Sequence, residues 1–141
     1  MKKRLFIGLA VVLAVGLVIW YMSPVRMADV DPADVEEIVI FDGATGRKTH
    51  ITDAGEVEKI IGNLKCVKLV RGKLSAGYLG FSFDTTICLK NGKRAGGWSH
   101  FIINSADTVR RDPFFYKAAE GTIDYDYIEQ LVREAAEAGP D

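Results

Sequence analysis

YLGFSFDTTICLKNGKRAGGWSHFIINS, residues 78–105, holds two strand-like runs around Asn91-Gly92. The first run is rich in aromatic and β-branched residues, which suit a pleated, half-buried surface. Asn-Gly supplies the positive φ that a tight hairpin turn demands. The return run carries Gly96-Gly97, which predicts a bulge or bend. A long antiparallel hairpin therefore sets the fold class, and the rest of the chain is read around it.

Upstream, KCVKLVRG (65–72) reads as a strand and KLSAG (73–77) as a loop. Before them, Asp53 or Thr52 stands as a helix cap, with Glu56 three positions after Asp53 as a capping box requires. Val57, Ile60, Ile61 and Leu64 follow at helical spacing, and Gly62-Asn63 marks the expected end. Earlier still, EEIVIFDG, the turn DGATG and RKTHITD form a first hairpin. Downstream, TVR (108–110) adds a short edge. DYDYIEQLVREAAEA (124–138) is a helix with Tyr127, Ile128, Leu131, Val132 and Ala135 on one stripe, capped near Asp124 and closed by Gly139-Pro140. The predicted class is α+β: a small antiparallel sheet packed with two helices, in the order ββαββ(β)α, behind an N-terminal transmembrane helix.

That N-terminal helix is LFIGLAVVLAVGLVIWYM, Leu5–Met22, eighteen positions without a charge or an amide. Eighteen helical residues rise about 27 Å, close to the roughly 30 Å hydrocarbon core. Trp20 and Tyr21 stand at the far end, where amphipathic rings prefer the headgroup zone. Lys2, Lys3 and Arg4 stand at the near end, so the positive-inside rule puts the N-terminus in the cytoplasm. A cleaved signal peptide is the rival reading. Its apolar core usually runs about 7–15 residues and ends in a small-x-small site, whereas here Arg26 intrudes before Ala28. No cysteine stands after the run to take a lipid. The expected divisions are 1–4 cytoplasmic, 5–22 transmembrane signal-anchor, 23–35 an acidic stalk and 36–141 an extracytoplasmic domain.

The 141 residues are 48% hydrophobic and 26% charged, with a net charge of −1. Setting aside Lys2, Lys3 and Arg4 leaves fifteen basic against nineteen acidic residues, about −4 for the outer part. That balance argues against nucleic acid as a partner, and against a polybasic grip on anionic lipid. Cys66 and Cys88 both fall in strand-like runs. A disulfide needs those strands to be neighbours with the right facing; two small buried thiols are the plainer reading.

Catalytic motifs are sparse. His50 and His100 are fifty residues apart, with no H-E-x-x-H and no C-x-x-C, so no metal is expected. DVDPADVEE (29–37) has acidic spacing but lacks the glycine bend and terminal glutamate of a calcium loop. Ser99 and His100 are adjacent, so on a strand they face opposite ways and cannot pair. There is no G-x-S-x-G and no P-loop. Asp124 and Asp126 read as a cap and dipole partners of the last helix. No cofactor is expected, and enzymatic activity is the least favoured class.

RRDPFFYKAAEG, Arg110–Gly121, packs three adjacent aromatics between two arginines and a lysine. Pro113 forces Asp112 extended. The stretch reads first as an elbow closing the core; the alternative is an elbow whose third ring, with Arg110, Arg111 and Lys117 around it, also forms a contact surface.

YLGFSF (78–83), FIINSADTVRRDPFFYKAAEGTIDYDYIEQL (101–131) and IFDGATGRKTHITDAGEVEKIIGNL (40–64) together resemble a family of short membrane-anchored or secreted proteins of Gram-positive bacteria, classed as a domain of unknown function. The resemblance spans roughly Val35 to Arg133. It implies an extracytoplasmic α+β domain behind an N-terminal anchor and brings no activity with it. The expectation is then a non-catalytic envelope module that binds a protein or a cell-wall component. Its face would combine Tyr78, Trp98, His100, Arg110, Arg111, Phe115 and Tyr116. The alternative is an accessory subunit of a transporter or sensor complex that acts through its transmembrane helix.

Overall fold

The structure, a computed structural model, describes residues 2–139. In chain order its elements are α1 (Lys2–Met22), β1 (Val25–Arg26), a single 3-10 turn (Pro32–Asp34), β2 (Val35–Asp42), β3 (Lys48–Ile51), α2 (Ala54–Lys65), β4 (Lys68–Leu74), β5 (Phe83–Leu89), a second 3-10 turn (Gly96–Trp98), β6 (His100–Ser105), β7 (Thr108–Arg111), β8 (Phe114–Glu120) and α3 (Tyr125–Ala138). The class is α+β, as expected. The strand count is not: five strands follow α2, where the order ββαββ(β)α allows two or three.

All eight strands join one open antiparallel sheet in the order β1-β4-β8-β7-β6-β5-β2-β3. Strands β5 to β8 form a meander. The chain crosses the sheet twice to build this order. From edge strand β3, α2 carries it across one face to β4. From β4, the segment 75–82 carries it back across the other face to β5.

The face under the helices is the main core. Ile38 and Ile40 of β2, Ile87 of β5, Phe101 and Ile103 of β6, Val109 of β7 and Tyr116 of β8 are buried there. Val57, Ile60, Ile61 and Leu64 of α2 close over them, with Ile128 and Val132 of α3. Each such side chain contributes about 1.5–3 kcal/mol of transfer free energy. The Asp53 carboxylate accepts from the Gly55 and Glu56 amides at 2.9 and 3.0 Å, so α2 starts where the capping pattern predicts. The helix runs on through Gly62-Asn63 to Lys65, because Leu64 still has core to bury.

RRDPFFYKAAEG is not an elbow. It is the end of β7, a turn with a cis Asp112–Pro113 bond, and β8 in the interior of the sheet. Successive strand residues point to opposite faces. Phe114 and Tyr116 pack on the helix side, while Phe115 turns to the other face and is buried there. The three adjacent aromatics are explained by a strand covered on both sides.

Residues 23–35, expected as a solvated stalk, lie against the domain. Val25 pairs with Leu69, the Met27 amide donates to the Val67 carbonyl at 3.1 Å, and Met27 and Ala28 are buried. The acidic residues drew the stalk reading, but the apolar Met27-Ala28 pair decides the packing. The cysteines do not pair. Cys66 caps the end of α2 rather than lying in a strand, and it is exposed; Cys88 on β5 is half-buried. Between β4 and β5 lie β8, β7 and β6, so the two strands are about 19 Å apart at roughly 4.8 Å per strand, beyond disulfide reach.

Helix α1 is exposed from Arg4 to Met22, and one helix of the described residues, Lys3–Met22, is long and apolar enough to cross a membrane. Its last turn is fastened to the sheet. Arg71 Nη1 of β4 donates to the Trp20 carbonyl at 2.7 Å and to the Ser23 carbonyl at 3.2 Å. The Arg71 guanidinium also lies 4.1 Å from the Trp20 ring centre, and Tyr21 Oη donates to the Gly72 carbonyl at 2.6 Å. The helix's terminal carbonyls, which lack partners within the helix, are thus met by a cation, the charge that a helix C-terminus favours.

Candidate functional site

The seven residues expected to form one surface fall into two groups on opposite faces of the sheet. On the helix side, the Trp98 and Tyr116 rings meet edge to face with centres 4.9 Å apart. Trp98 also approaches Phe101 at 6.2 Å, and the Arg111 guanidinium lies 4.9 Å from the Trp98 ring. Tyr116 is buried, so it belongs to the core rather than to a contact surface. Arg111 and Trp98 close the end of that core.

On the other face, Phe115 is buried beneath the segment 75–82. Tyr78 stands over it edge to face at 5.1 Å. Arg110 Nη1 donates to the Tyr78 carbonyl at 2.9 Å and to the Gly80 carbonyl at 3.3 Å, which ties the crossing segment to β7. Arg110 Nε lies 3.2 Å from an Asp112 oxygen, an ion pair too poorly aligned to be a hydrogen bond. His100 is exposed on the same face and bonds Asp84 across the β5–β6 pair, Nε2 to Oδ1 at 2.6 Å. His50 makes a similar surface pair with Glu37 at 2.8 Å, on the β2–β3 hairpin. Tyr78, His100, Arg110 and Phe115 therefore share a face, and Trp98, Arg111 and Tyr116 share the other.

A groove of about 270 Å³ runs between His100, Ile102, Arg110 and Asp112. It offers the His100 imidazole and the Asp112 carboxylate to solvent, while the Arg110 side chain is only 14% exposed and its Nη1 is engaged by the Tyr78 and Gly80 carbonyls. A second cleft, about 490 Å³, lies between Asp42, Phe81, Phe83, Tyr125, Glu129 and Arg133. Asp42 is occupied there, accepting from the Ala44 amide at 2.8 Å and the Thr45 hydroxyl at 2.7 Å.

The His100–Asp84 pair has the form of an oriented base, yet no hydroxyl or thiol of the described residues hydrogen-bonds the ring. Ser99, expected beside His100 on a strand, instead ends the 3-10 turn before β6; it is buried, and both residues line the groove. The Cys88 thiol is pushed up from its ordinary range, first by burial and then by the Glu37 charge, which makes it a poor nucleophile at neutral pH. Among the described residues no group of three or more His, Cys, Asp or Glu side chains is placed to hold a metal ion.

Comparison with family models, with curated proteins and with solved structures finds no match. The site is therefore read from its own geometry. Two features escaped the sequence reading. Arg71 looked like an ordinary strand cation, and nothing local marks it as the partner of a helix end fifty residues away. Leu79 was placed in a strand; its position between Tyr78 and Gly80, beside Gly77, is the one signal that it sits in a loop.

Proposed function

We propose that the chain is a single-pass envelope protein, N-terminus in the cytoplasm, whose outer domain is a non-catalytic module binding a protein or a wall component. The observation that supports this reading is the sheet face free of helices. There His100, Arg110 and Asp112 line a groove, and on the same face Arg110 holds the Tyr78 carbonyl while the Tyr78 ring stands on Phe115. Ordered aromatic and Arg side chains on an open face are the residue types that anchor interfaces. The resemblance to membrane-anchored proteins of Gram-positive bacteria fits the same reading.

The test is site-specific photo-crosslinking of the full chain in native membranes. A photoreactive residue at position 100 or 78 is compared with one at Glu58, on exposed α2. A discrete adduct from 100 and 78 but not from 58 supports the reading. Equal adducts from all three, or none from 100 and 78, overturns it.

The second reading, an accessory subunit acting through α1, is favoured by the exposure of that helix along its length. Replacing Leu5–Met22 with an unrelated apolar helix separates the two. The binding module keeps its crosslinks after the swap, and the subunit loses its complex.

A further inference from the structure

Outside α1, the exposed large apolar side chains of the described residues are four: Leu74 at 63%, Tyr78 at 49%, Leu79 at 90% and Phe81 at 38%. All four fall within one stretch of eight residues, at the end of β4 and in the crossing segment. Scattered single apolar residues on a surface need no explanation, but a contiguous cluster does.

One member of this run, Leu74, lies beside the end of α1. β1 runs antiparallel to β4, so the chain leaving α1 meets β4 near Arg71 and Gly72 and runs back toward Lys68. The helix therefore joins the sheet at the Leu74 end of β4. Leu74 pairs with Phe114, and the Phe114 ring meets the rings of Trp20 and Tyr21 at 6.3 and 6.1 Å. Those two rings stand where a membrane helix places its headgroup-level aromatics. The neighbouring loop is fixed. The Ser75 amide donates to the Pro113 carbonyl at 2.9 Å, and Arg110 holds Tyr78 and Gly80. Phe81 rests on Phe41 at 5.7 Å, farther across the sheet. Lys73 is exposed beside Leu74, its Nζ 5.2 Å from the Phe115 ring centre.

We propose that the stretch Lys73–Leu79 lies in the headgroup zone of the bilayer that α1 crosses, with Leu74 and Leu79 toward lipid. The domain then touches the membrane twice, through α1 and through this loop, and cannot swing about residues 23–26. The inference rests on the reading of α1 as a membrane span, and its test separates the two.

The test uses the full chain in vesicles of phosphatidylcholine and phosphatidylglycerol, with one tryptophan per protein. Trp98→Phe leaves Trp20 as reporter of the anchor. Trp20→Phe with Trp98→Phe and Leu79→Trp moves the reporter to the loop; Leu79 is nearly free of neighbours, so the fold tolerates the change. Quenching by lipid brominated near the headgroup is compared with quenching by aqueous iodide. Expected is loss of most emission to bromolipid at both positions, little quenching by iodide at position 79, and reversal there when Leu74→Asp is added. If Trp20 is quenched by bromolipid while position 79 answers only to iodide, the loop proposal falls and the anchor stands. If neither answers to bromolipid, the membrane reading of α1 fails and takes the proposal with it.

Discussion

Asp107 shows how much one turn residue settles in this fold. Sitting between β6 and β7, its carboxylate accepts from Lys117 Nζ at 2.9 Å, Thr108 Oγ1 at 2.7 Å and Ser105 Oγ at 2.8 Å. These bonds, led by Lys117, hold its carboxyl far below the usual carboxylate range. A depressed folded-state value means stability that is present above the unfolded value of about 3.9 and is lost as pH falls below it. The group is exposed, so the effect is small. Asp107→Asn is expected to lower the melting temperature slightly at pH 7 and to converge with wild type toward pH 2, so that its fall between pH 5 and pH 2 is the flatter of the two. Gly121 settles the chain's exit from β8. Its φ is +70°, and a Cβ there would lie 2.8 Å from the Cys66 carbonyl oxygen. Gly121→Ala meets both strain and backbone overlap and is expected to cost roughly 1–3 kcal/mol in urea unfolding. A loss under 0.5 kcal/mol contradicts that account.

Elements were legible where one face alone is buried. The first hairpin, the capped α2, the amphipathic α3 and the Asn91-Gly92 turn, where Gly92 takes a φ of +73°, all follow from local pattern. β8 did not show itself, because alternation vanishes when both faces are covered. Phe115 answers to the crossing segment and Tyr116 to Trp98, while the Lys-Ala-Ala that follows lacks strand propensity. The candidate site was half legible for the same reason. Its residue types were found, but their division between two faces depends on the register of β8 against β4 and β7. The α1–β4 joint was invisible, since a contact between residues 20 and 71 leaves no mark in either segment. Arg71→Ala removes two charged hydrogen bonds and a ring contact from that joint. It is expected to raise amide exchange at Ser23, Val25 and Arg26 about tenfold, if the lost contacts are worth roughly 1.4 kcal/mol of local opening. Exchange in β6 should stay unchanged. Faster exchange across the whole sheet would instead make Arg71 a general support of the fold.

At the scale of the whole molecule, the cysteines test the proposed placement of the domain outside the membrane. Cys66 is exposed, and the Cys88 thiol is half-buried with its proton held more tightly. In intact cells a membrane-impermeant maleimide is expected to label Cys66 rapidly and Cys88 slowly, so Cys66→Ser removes most of the signal. Labelling that needs broken cells would place the domain inside. The position of β8 carries a different consequence, about time. Strands β1 and β4 on one side, and β2, β3, β5, β6 and β7 on the other, share no backbone pairing except through β8. Synthesis delivers the N-terminal residues first. A nascent chain ending at Pro113 has already made both portions and still lacks the keystone between them, leaving two raw edges open to stray partners. Premature stop codons anywhere before Glu120 should therefore be uniformly severe, a late one nearly as damaging as an early one.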